Sequence, residues 1–408
     1  MNILIIGSNF SPVHSRLRAL KHRLFIIPDP NRKLQILDND LYVGVHFVQD
    51  DMDVEPLAER LCRDRTIFNI DRVMAFNEKW QLVAARVADL TGLPVITDPQ
   101  LVSRTLDKHV MREHLQQAGL PTVKFAKITQ LSELARALET VGYPAILKPL
   151  KGEASRGIAL IRDEHALHQW VKGAAEQLTE TYLLESFIQG EEYSVEAISY
   201  HHQHHILAIT QKYKNDNFVE IGHVLPAPLP VGREEQIKDY VIRFLDVMGF
   251  DNTASHTEII VTKDGPIVIE SHTRPGGDNI YRLLEFATGL DLMNLVAKIS
   301  TDSLEDSDLH KTTSPCSAAV WYLCQEENHG LIYDSVTGLN DAKALDNIKE
   351  VTVLIKPGDV VRPVKNSFDR SAFAIATNAT AREALSVARH ALSRLTLHYQ
   401  QANRVKES

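Results

Sequence analysis

The sequence predicts an α/β protein with three parts: an N-terminal Rossmann-like domain (residues 1–99), a central domain (100–300) and a C-terminal α+β domain (301–408). Three observations support this prediction. Apolar strands alternate with helices at the start of the chain, a hairpin carrying two carboxylates ends the central part, and strands with one amphipathic helix follow. The 408 residues are enough for domains of this size.

The N-terminal domain is predicted from β/α alternation. Asn2–Ser8 is an apolar strand that ends at a glycine, His22–Pro30 has the pattern of a second strand, and Arg72–Glu78 that of a later one. Lys79–Thr97 predicts a helix, a glycine stop and another strand. Because no G-x-G-x-x-G follows the first strand, a dinucleotide site has little support.

Composition excludes several classes of protein. The net charge of −9 and the lack of a basic stripe argue against a nucleic-acid-binding protein. No apolar run reaches transmembrane length, and the N-terminus has no basic lead, so we expect a strand there and not a signal peptide. The three cysteines, Cys62, Cys316 and Cys324, lack metal or redox spacing and fit a reducing compartment. We therefore expect a cytoplasmic protein.

The hairpin "TEIIVTKDGPIVIESHTRPGGD" carries a glutamate in each arm. A three-residue turn at 263–265 places Glu258 opposite Glu270 on one face, whereas a two-residue turn at Asp264-Gly265 makes them diagonal. With the first turn, the other face is filled by four apolar residues: Ile259, Val261, Ile267 and Ile269.

Two interpretations of the polar face stay open. Like charges directly across a strand pair are destabilising, so something must offset the repulsion. His256, His272 and Arg274 share the face with the glutamates if the chain stays extended. The face is either a solvated side of an edge hairpin, or it holds a divalent cation such as Mg²⁺ that substrate phosphates complete.

Three further features are compatible with phosphate or nucleotide binding. Lys148 is at the end of an apolar strand. A buried lysine there would need an anion as its partner, whereas an exposed lysine would not. The small-residue loop 152–157 offers backbone N–H groups to phosphate, or is a simple turn. The segment "LLESFIQGEE" runs from a strand into a linker that offers backbone groups to adenine and a carboxylate to ribose, or is a charged surface turn.

Together with Lys108, these motifs resemble the ATP-grasp carboxylate–amine ligases. The resemblance covers roughly residues 100–300 in order, and the flanking domains fit the layout. Within the superfamily, "EIGHVLPAPLP" and "IESHTRPGGD" are most similar to the L-amino acid ligases, the dipeptide-forming enzymes that resemble bacilysin synthetase. The resemblance implies an ATP-grasp fold with a mobile lid subdomain at about 115–188.

The resemblance also implies roles for individual residues. The implied ATP-binding set is Lys108, Lys148, Gly152, Ser155, Gly157, Glu185, Ser186, Phe187, Ile188 and Glu192. Residues 185–188 would be the interlobe linker at adenine, Glu192 would hold the ribose, and Ala154 replaces a glycine of the usual lid pattern. Glu258 and Glu270 would bind Mg²⁺ or Mn²⁺, while His272 stands where the family usually has asparagine, which leaves the second metal site in question.

The remaining implied residues concern substrate and reaction. The catalytic set is Arg274, His223 and Gly277, and the substrate set is His223, Lys212, Tyr213 and Gly276. The implied reaction joins two L-amino acids through an acylphosphate and releases ADP and phosphate. The general base is open between His223 and His272, and a homodimer is expected. The alternatives are another ATP-grasp ligase, either purine-biosynthetic or biotin carboxylase-like, and a non-catalytic nucleotide-binding protein.

Overall fold

The computed structural model describes residues 1–7, 11–29, 39–46, 69–150, 157–173, 178, 180–310 and 316–400. The predictions for Cys62, Ala154, Gly152 and Ser155 concern positions outside these ranges. In the described part of the chain, no helix is both long enough and apolar enough to span a membrane.

The described residues form eighteen strands. They are β1 (Asn2–Ile6), β2 (Arg23–Ile27), β3 (Tyr42–Val45), β4 (Arg72–Met74), β5 (Phe125–Ile128), β6 (Ala145–Pro149), β7 (Ala159–Ile161), β8 (Tyr182–Ser186), β9 (Glu191–Tyr200), β10 (Gln203–Lys214), β11 (Glu220–Leu225), β12 (Thr253–Thr262), β13 (Gly265–His272), β14 (Ser317–Leu323), β15 (Ile332–Thr337), β16 (Ile348–Val353), β17 (Ala372–Asn378) and β18 (Thr396–Gln400).

The α-helices of the described ranges connect and cover these strands. They are α1 (Ser11–Ala19), α2 (Glu78–Thr91), α3 (Pro99–Leu106), α4 (Lys108–Gln117), α5 (Leu134–Val141), α6 (Glu164–Gly173), α7 (Arg233–Met248), α8 (Ile280–Thr288), α9 (Leu292–Ser300), α10 (Leu339–Lys343) and α11 (Ala381–Ser393).

The N-terminal domain contains a parallel sheet in the order β3-β2-β1-β4, with α2 packed on it. This arrangement agrees with the predicted β/α alternation. The strand predicted after α2 is wrong, because residues 93–97 form irregular chain before α3. Pro94 cannot donate a backbone hydrogen bond to a ladder, and Val95 is exposed.

The other described strands form the two-stranded sheet β15-β18 and two larger sheets. The smaller sheet has the antiparallel order β5-β8-β6-β7, and the larger has eight strands in the order β13-β12-β9-β10-β11-β14-β17-β16. Three C-terminal strands (β14, β16 and β17) therefore extend the sheet of the central domain, so the predicted boundary at residue 301 does not separate two sheets. Apolar residues of α7 form a core with residues of the hairpin strands β12 and β13 and of their neighbours β9 and β10.

The hairpin reaches the predicted glutamate pairing by a different route. The chain turns at Lys263 and Asp264, with Thr262 paired to Gly265, and not through the predicted three-residue turn. A β-bulge then shifts the register, so that Glu258 stands opposite Glu270 after all. The prediction that Ile267 and Ile269 fill the apolar face is wrong. Val268 takes that place in the core opposite Ile259, while Ile267 pairs with Ile260 and Ile269 lines a cavity.

Candidate active site

A cavity of about 330 Å³ lies against the polar face of the hairpin. Its walls come from β10, β11, β12 and β13 of the large sheet, the end of β6, the start of α4 and the C-terminal segment before β17. The ionisable side chains that line it are Lys108, Lys148, Lys212, Lys214, Glu220, His223, His256, Glu258, Glu270, His272, Arg274, Asp278 and Arg370. The cavity thus brings together most of the charged residues that the sequence singled out.

Two lysines offset the repulsion between the opposed glutamates. Lys212 Nζ lies 2.6 Å from Glu258 Oε1, and Lys108 Nζ lies 3.2 Å from Glu270 Oε2. Burial opposes ionisation of both carboxyls, but these lysines hold the pKa of each glutamate well below its usual range. Both glutamates line the cavity, and two ionised carboxylates on one face fit a divalent cation that phosphates complete.

Lys108 and Lys148 reach the cavity from different elements. Lys108 is the first residue of α4, whose N-cap Asp107 accepts from the backbone N–H groups of His109 and Val110 at 2.9 and 3.1 Å. Lys148 is buried in β6, and its Nζ lies 2.6 Å from Glu185 Oε2. Gly157 follows with φ +72°, and a Cβ there would lie 2.9 Å from Pro149 Cγ, which favours glycine.

Glu185 does not occupy the linker where it was predicted. It lies within β8, is 4% exposed and pairs with Arg112 as well as Lys148. Burial alone would raise the pKa of Glu185, but the two cations lower it to about 2. Ser186 also belongs to β8, so the link between the two sheets begins at Phe187, whose backbone N–H donates to Pro144 at 2.9 Å.

Lys212 is surrounded by three carboxylates. Besides Glu258, its Nζ lies 3.1 Å from Glu192 Oε1 and 3.3 Å from Glu220 Oε1. Burial would lower the pKa of Lys212, but these carboxylates raise it well above its usual value. Oxygens of the three glutamates lie within 4.8 Å of one another, close enough for a metal, but the Lys212 ammonium already supplies positive charge there.

Tyr213 does not line the cavity, contrary to the prediction. Neighbouring residues on a strand point to opposite faces, so Tyr213 lies on the far side of β10 from Lys212. Its ring packs against Trp321 with centroids 5.6 Å apart, and its hydroxyl donates to Gln211 at 2.9 Å.

Glu78, which the sequence did not single out, fixes two predicted residues. It is the first residue of α2, and its carboxylate accepts from His272 Nδ1 at 2.7 Å and from Arg274 Nε at 3.0 Å. His272 Nε2 lies 3.6 Å from Glu270 Oε1. Burial and Arg274 oppose protonation of His272, but Glu270 and Glu78 outweigh them and raise its pKa.

His256 explains why Gly276 must lack a side chain. A Cβ at Gly276 would lie 2.6 Å from His256 Nδ1, so the close approach predicted for substrate is made here by the histidine. His256 also donates to Glu196 at 2.7 Å and contacts Glu258 at 3.2 Å. Burial lowers its pKa, but the two glutamates raise it to about 9. Gly277, in contrast, lines the cavity.

At the other end of the cavity, a C-terminal arginine holds Asp278. Arg370 donates two hydrogen bonds to the Asp278 carboxylate, at 2.6 and 2.7 Å, and lies 3.7 Å above the Tyr322 ring. His223 Nε2 lies 3.4 Å from the same carboxylate. His223 is buried, and its Nδ1 has no partner in the described ranges. The substrate-side histidine is thus tied to a residue from beyond the central domain.

Comparisons with known proteins agree with this geometry. Residues 141–281 match the ATP-grasp domain family, and residues 332–400 match L-amino acid ligase C-terminal domain 2. The crystal structure of L-amino acid ligase from Bacillus licheniformis has a TM-score of 0.83 at 23% identity, covering 98% of this chain and 99% of that one. The chain is an ATP-grasp ligase.

Two further comparisons give similar results. Alanine–anticapsin ligase of Bacillus subtilis (strain 168) is 25% identical over 305 residues, which cover 68% of this chain and 64% of that protein. Phosphoribosylglycinamide synthetase from Anaerococcus prevotii has a TM-score of 0.73 at 18% identity, covering 98% of this chain and 99% of that one. The predicted ATP-grasp fold is confirmed, and the matched C-terminal segment includes Arg370.

Proposed function

We propose that this ATP-grasp ligase joins two L-amino acids through an acylphosphate, with release of ADP and phosphate. The observation that supports this most is Arg370. It belongs to the segment that matches L-amino acid ligase C-terminal domain 2, and it reaches the same cavity as Lys108, Lys148 and the two opposed glutamates. One cavity therefore combines the residues assigned to phosphate with a residue from the segment that matches L-amino acid ligase C-terminal domain 2.

Activation of the carboxylate is assigned to the phosphate side. A carboxylate does not acylate an amine directly, because oxide is too poor a leaving group, so its oxygen first takes the γ-phosphoryl group of ATP. Lys108, Lys148 and Arg274 neutralise charge on the transferred group. Glu258 and Glu270 would hold Mg²⁺ or Mn²⁺, which would supply Lewis-acid charge to the phosphates. The proposal assigns Ile188 to adenine and Glu192 to ribose.

Amide formation is assigned to the other end of the cavity. The amine of the second amino acid attacks the acyl carbon, the C–O bond to phosphate breaks, and phosphate leaves with one former carboxylate oxygen. His272 is a poor general base, because Glu78 and Glu270 stabilise its protonated form. His223, oriented by Asp278, is the candidate base for the proton that the amine loses.

Phosphate release from Mg-ATP, measured with each of the twenty L-amino acids singly and in pairs, tests the proposal. Mass spectrometry identifies the nucleotide and the product. ADP, phosphate and a dipeptide mass with particular pairs would support it. ADP release without amino-acid dependence would move the substrate to another class, such as the purine-biosynthetic one. AMP and pyrophosphate would contradict the proposal.

A further inference from the structure

The bulge in β13 decides which way Glu270 points. Val268 pairs with Ile259 and lies with it in the core. Because side chains alternate along a strand, a regular β13 would send Glu270 to that same core face. The extra residue, Ile269, reverses the alternation and turns Glu270 toward Glu258 and the cavity.

Arg112 in α4 binds this bulge directly. Its side chain is fully buried, Nη1 donates to the Val268 carbonyl at 2.9 Å, and Nη2 donates to the Ile269 carbonyl at 2.8 Å. Consecutive carbonyls of a regular strand point to opposite sides, so one guanidinium reaches both only where the strand is bulged. The planar fork of arginine matches this pair of acceptors, and a lysine has no such fork.

Tyr240 binds the other outward-facing group of the bulge. β13 is the edge strand of the large sheet, so its outer groups have no neighbouring strand to pair with. The Tyr240 hydroxyl accepts from the Val268 N–H at 3.1 Å and donates to the Pro121 carbonyl at 2.7 Å. The bulge is therefore held by side chains from two helices, α4 and α7.

The third donor of Arg112 connects the bulge to the smaller sheet. Nε donates to Glu185 Oε1 at 2.7 Å, while Lys148 Nζ lies 2.6 Å from Oε2 of the same glutamate. One buried arginine thus links Lys148 on β6 to the backbone that aims Glu270 on β13. The two linked groups belong to different sheets.

We propose that Arg112 is a positioning residue that fixes the distance between Glu270 and Lys148. It holds Glu270 on the cavity face through the bulge and holds Lys148 through Glu185. The inference rests on the proposed function, in which Glu270 binds the metal and Lys148 binds the phosphates of ATP.

The test compares Arg112→Met with Leu115→Ala, a control in the same helix that is also fully buried but carries no polar group. Binding of Mn²⁺ together with the non-hydrolysable nucleotide AMPPNP is measured by electron paramagnetic resonance, and folding by circular dichroism. Arg112→Met is expected to weaken Mn²⁺ binding and lower kcat by about 10- to 100-fold, as loss of an outer-shell support does. Leu115→Ala is expected to lower Tm while keeping Mn²⁺ affinity. Tyr240→Phe is expected to give a smaller loss in the same direction as Arg112→Met.

A double variant separates positioning from general damage. In a Glu270→Ala background, Arg112→Met is expected to cause no further loss of Mn²⁺ affinity, because the two residues act through one ligand. A folded Arg112→Met protein with wild-type Mn²⁺ affinity and kcat would overturn the inference, as would an equal loss in Leu115→Ala. If Arg112→Met does not fold, Arg112→Lys and Tyr240→Phe decide by the same readouts. Failure of the wild-type protein to bind Mn²⁺ with AMPPNP would overturn the proposed function as well.

Discussion

The loop after β13 is held at its two ends by different parts of the chain. At one end, Glu78 from the N-terminal domain binds His272 and Arg274, next to the two opposed glutamates of the hairpin. At the other end, Arg370 from the C-terminal segment binds Asp278 beside His223. Neither anchor lies within residues 141–281, which match the ATP-grasp domain. Under the proposed function, the N-terminal anchor serves the phosphate chemistry and the C-terminal anchor serves the amino acid.

The largest effect is expected from removing the residue beside the N-terminal anchor. Glu270→Ala should reduce Mg²⁺-dependent ATP turnover by about 10²- to 10³-fold or more. The variant lacks a carboxylate that would bind the metal, so charge on the transferred phosphoryl group is no longer neutralised by the metal. Steady-state kinetics with saturating amino acids measures this, with circular dichroism to confirm that the protein is folded. An unchanged rate would remove Glu270 from the metal site.

Glu78→Gln tests the N-terminal anchor itself. Loss of the charge that orients His272 and Arg274 is expected to lower kcat by about 10- to 100-fold while leaving KM for the amino acids unchanged. Val87→Ala, a buried change in the same helix, is the control for helix stability. If Glu78→Gln raised only the amino-acid KM, the division of roles between the anchors would be wrong.

Arg370→Lys tests the C-terminal anchor. Lysine keeps the charge but loses the two-pronged contact with Asp278, so we expect KM for an amino acid to rise about tenfold, equivalent to ~1.4 kcal/mol. Affinity for ATP, measured by calorimetry, should stay at the wild-type value. A change confined to ATP affinity would show that this anchor also belongs to the phosphate side.

The last prediction concerns stability, and it follows from the titration of His256. Its pKa is raised from 6.5 to about 9 in the folded protein, so its charge stabilises the fold below about pH 6.5 and this contribution is lost as pH rises toward 9. The loss should be on the order of 3 kcal/mol in the free energy of unfolding. Urea denaturation from about pH 6 to about pH 10 measures this loss. In His256→Gln, the free energy of unfolding should decline less steeply as pH rises. Equal slopes in both proteins would rule out His256 as the source.

The hairpin shows how far sequence reasoning extends. The predicted pairing of Glu258 with Glu270 is present, but it comes from a two-residue turn and a bulge and not from the predicted three-residue turn. The alternation of side chains, applied to Lys212, would have excluded Tyr213 from the cavity. The bulge was not predictable, since its backbone carbonyls and N–H group find their partners on distant helices: Arg112 donates to the carbonyls and Tyr240 accepts from the N–H.

The residues that the sequence missed share one property. Glu78 and Arg370 contact residues far away along the chain, and nothing in their local sequence marks them. Glu185 was predicted at the adenine linker, but it instead pairs with two buried cations. Long-range ion pairs of this kind depend on how sheets and helices pack, which local patterns do not encode.

The central claim is that the carboxylate is activated as an acylphosphate, and an isotope experiment tests it most directly. The first amino acid is labelled with ¹⁸O in its carboxylate, and the released phosphate is analysed by mass spectrometry. Transfer of one labelled oxygen to inorganic phosphate is the predicted result, because phosphate leaves with the oxygen that it took from the carboxylate. Unlabelled phosphate, or label in AMP, would contradict the account.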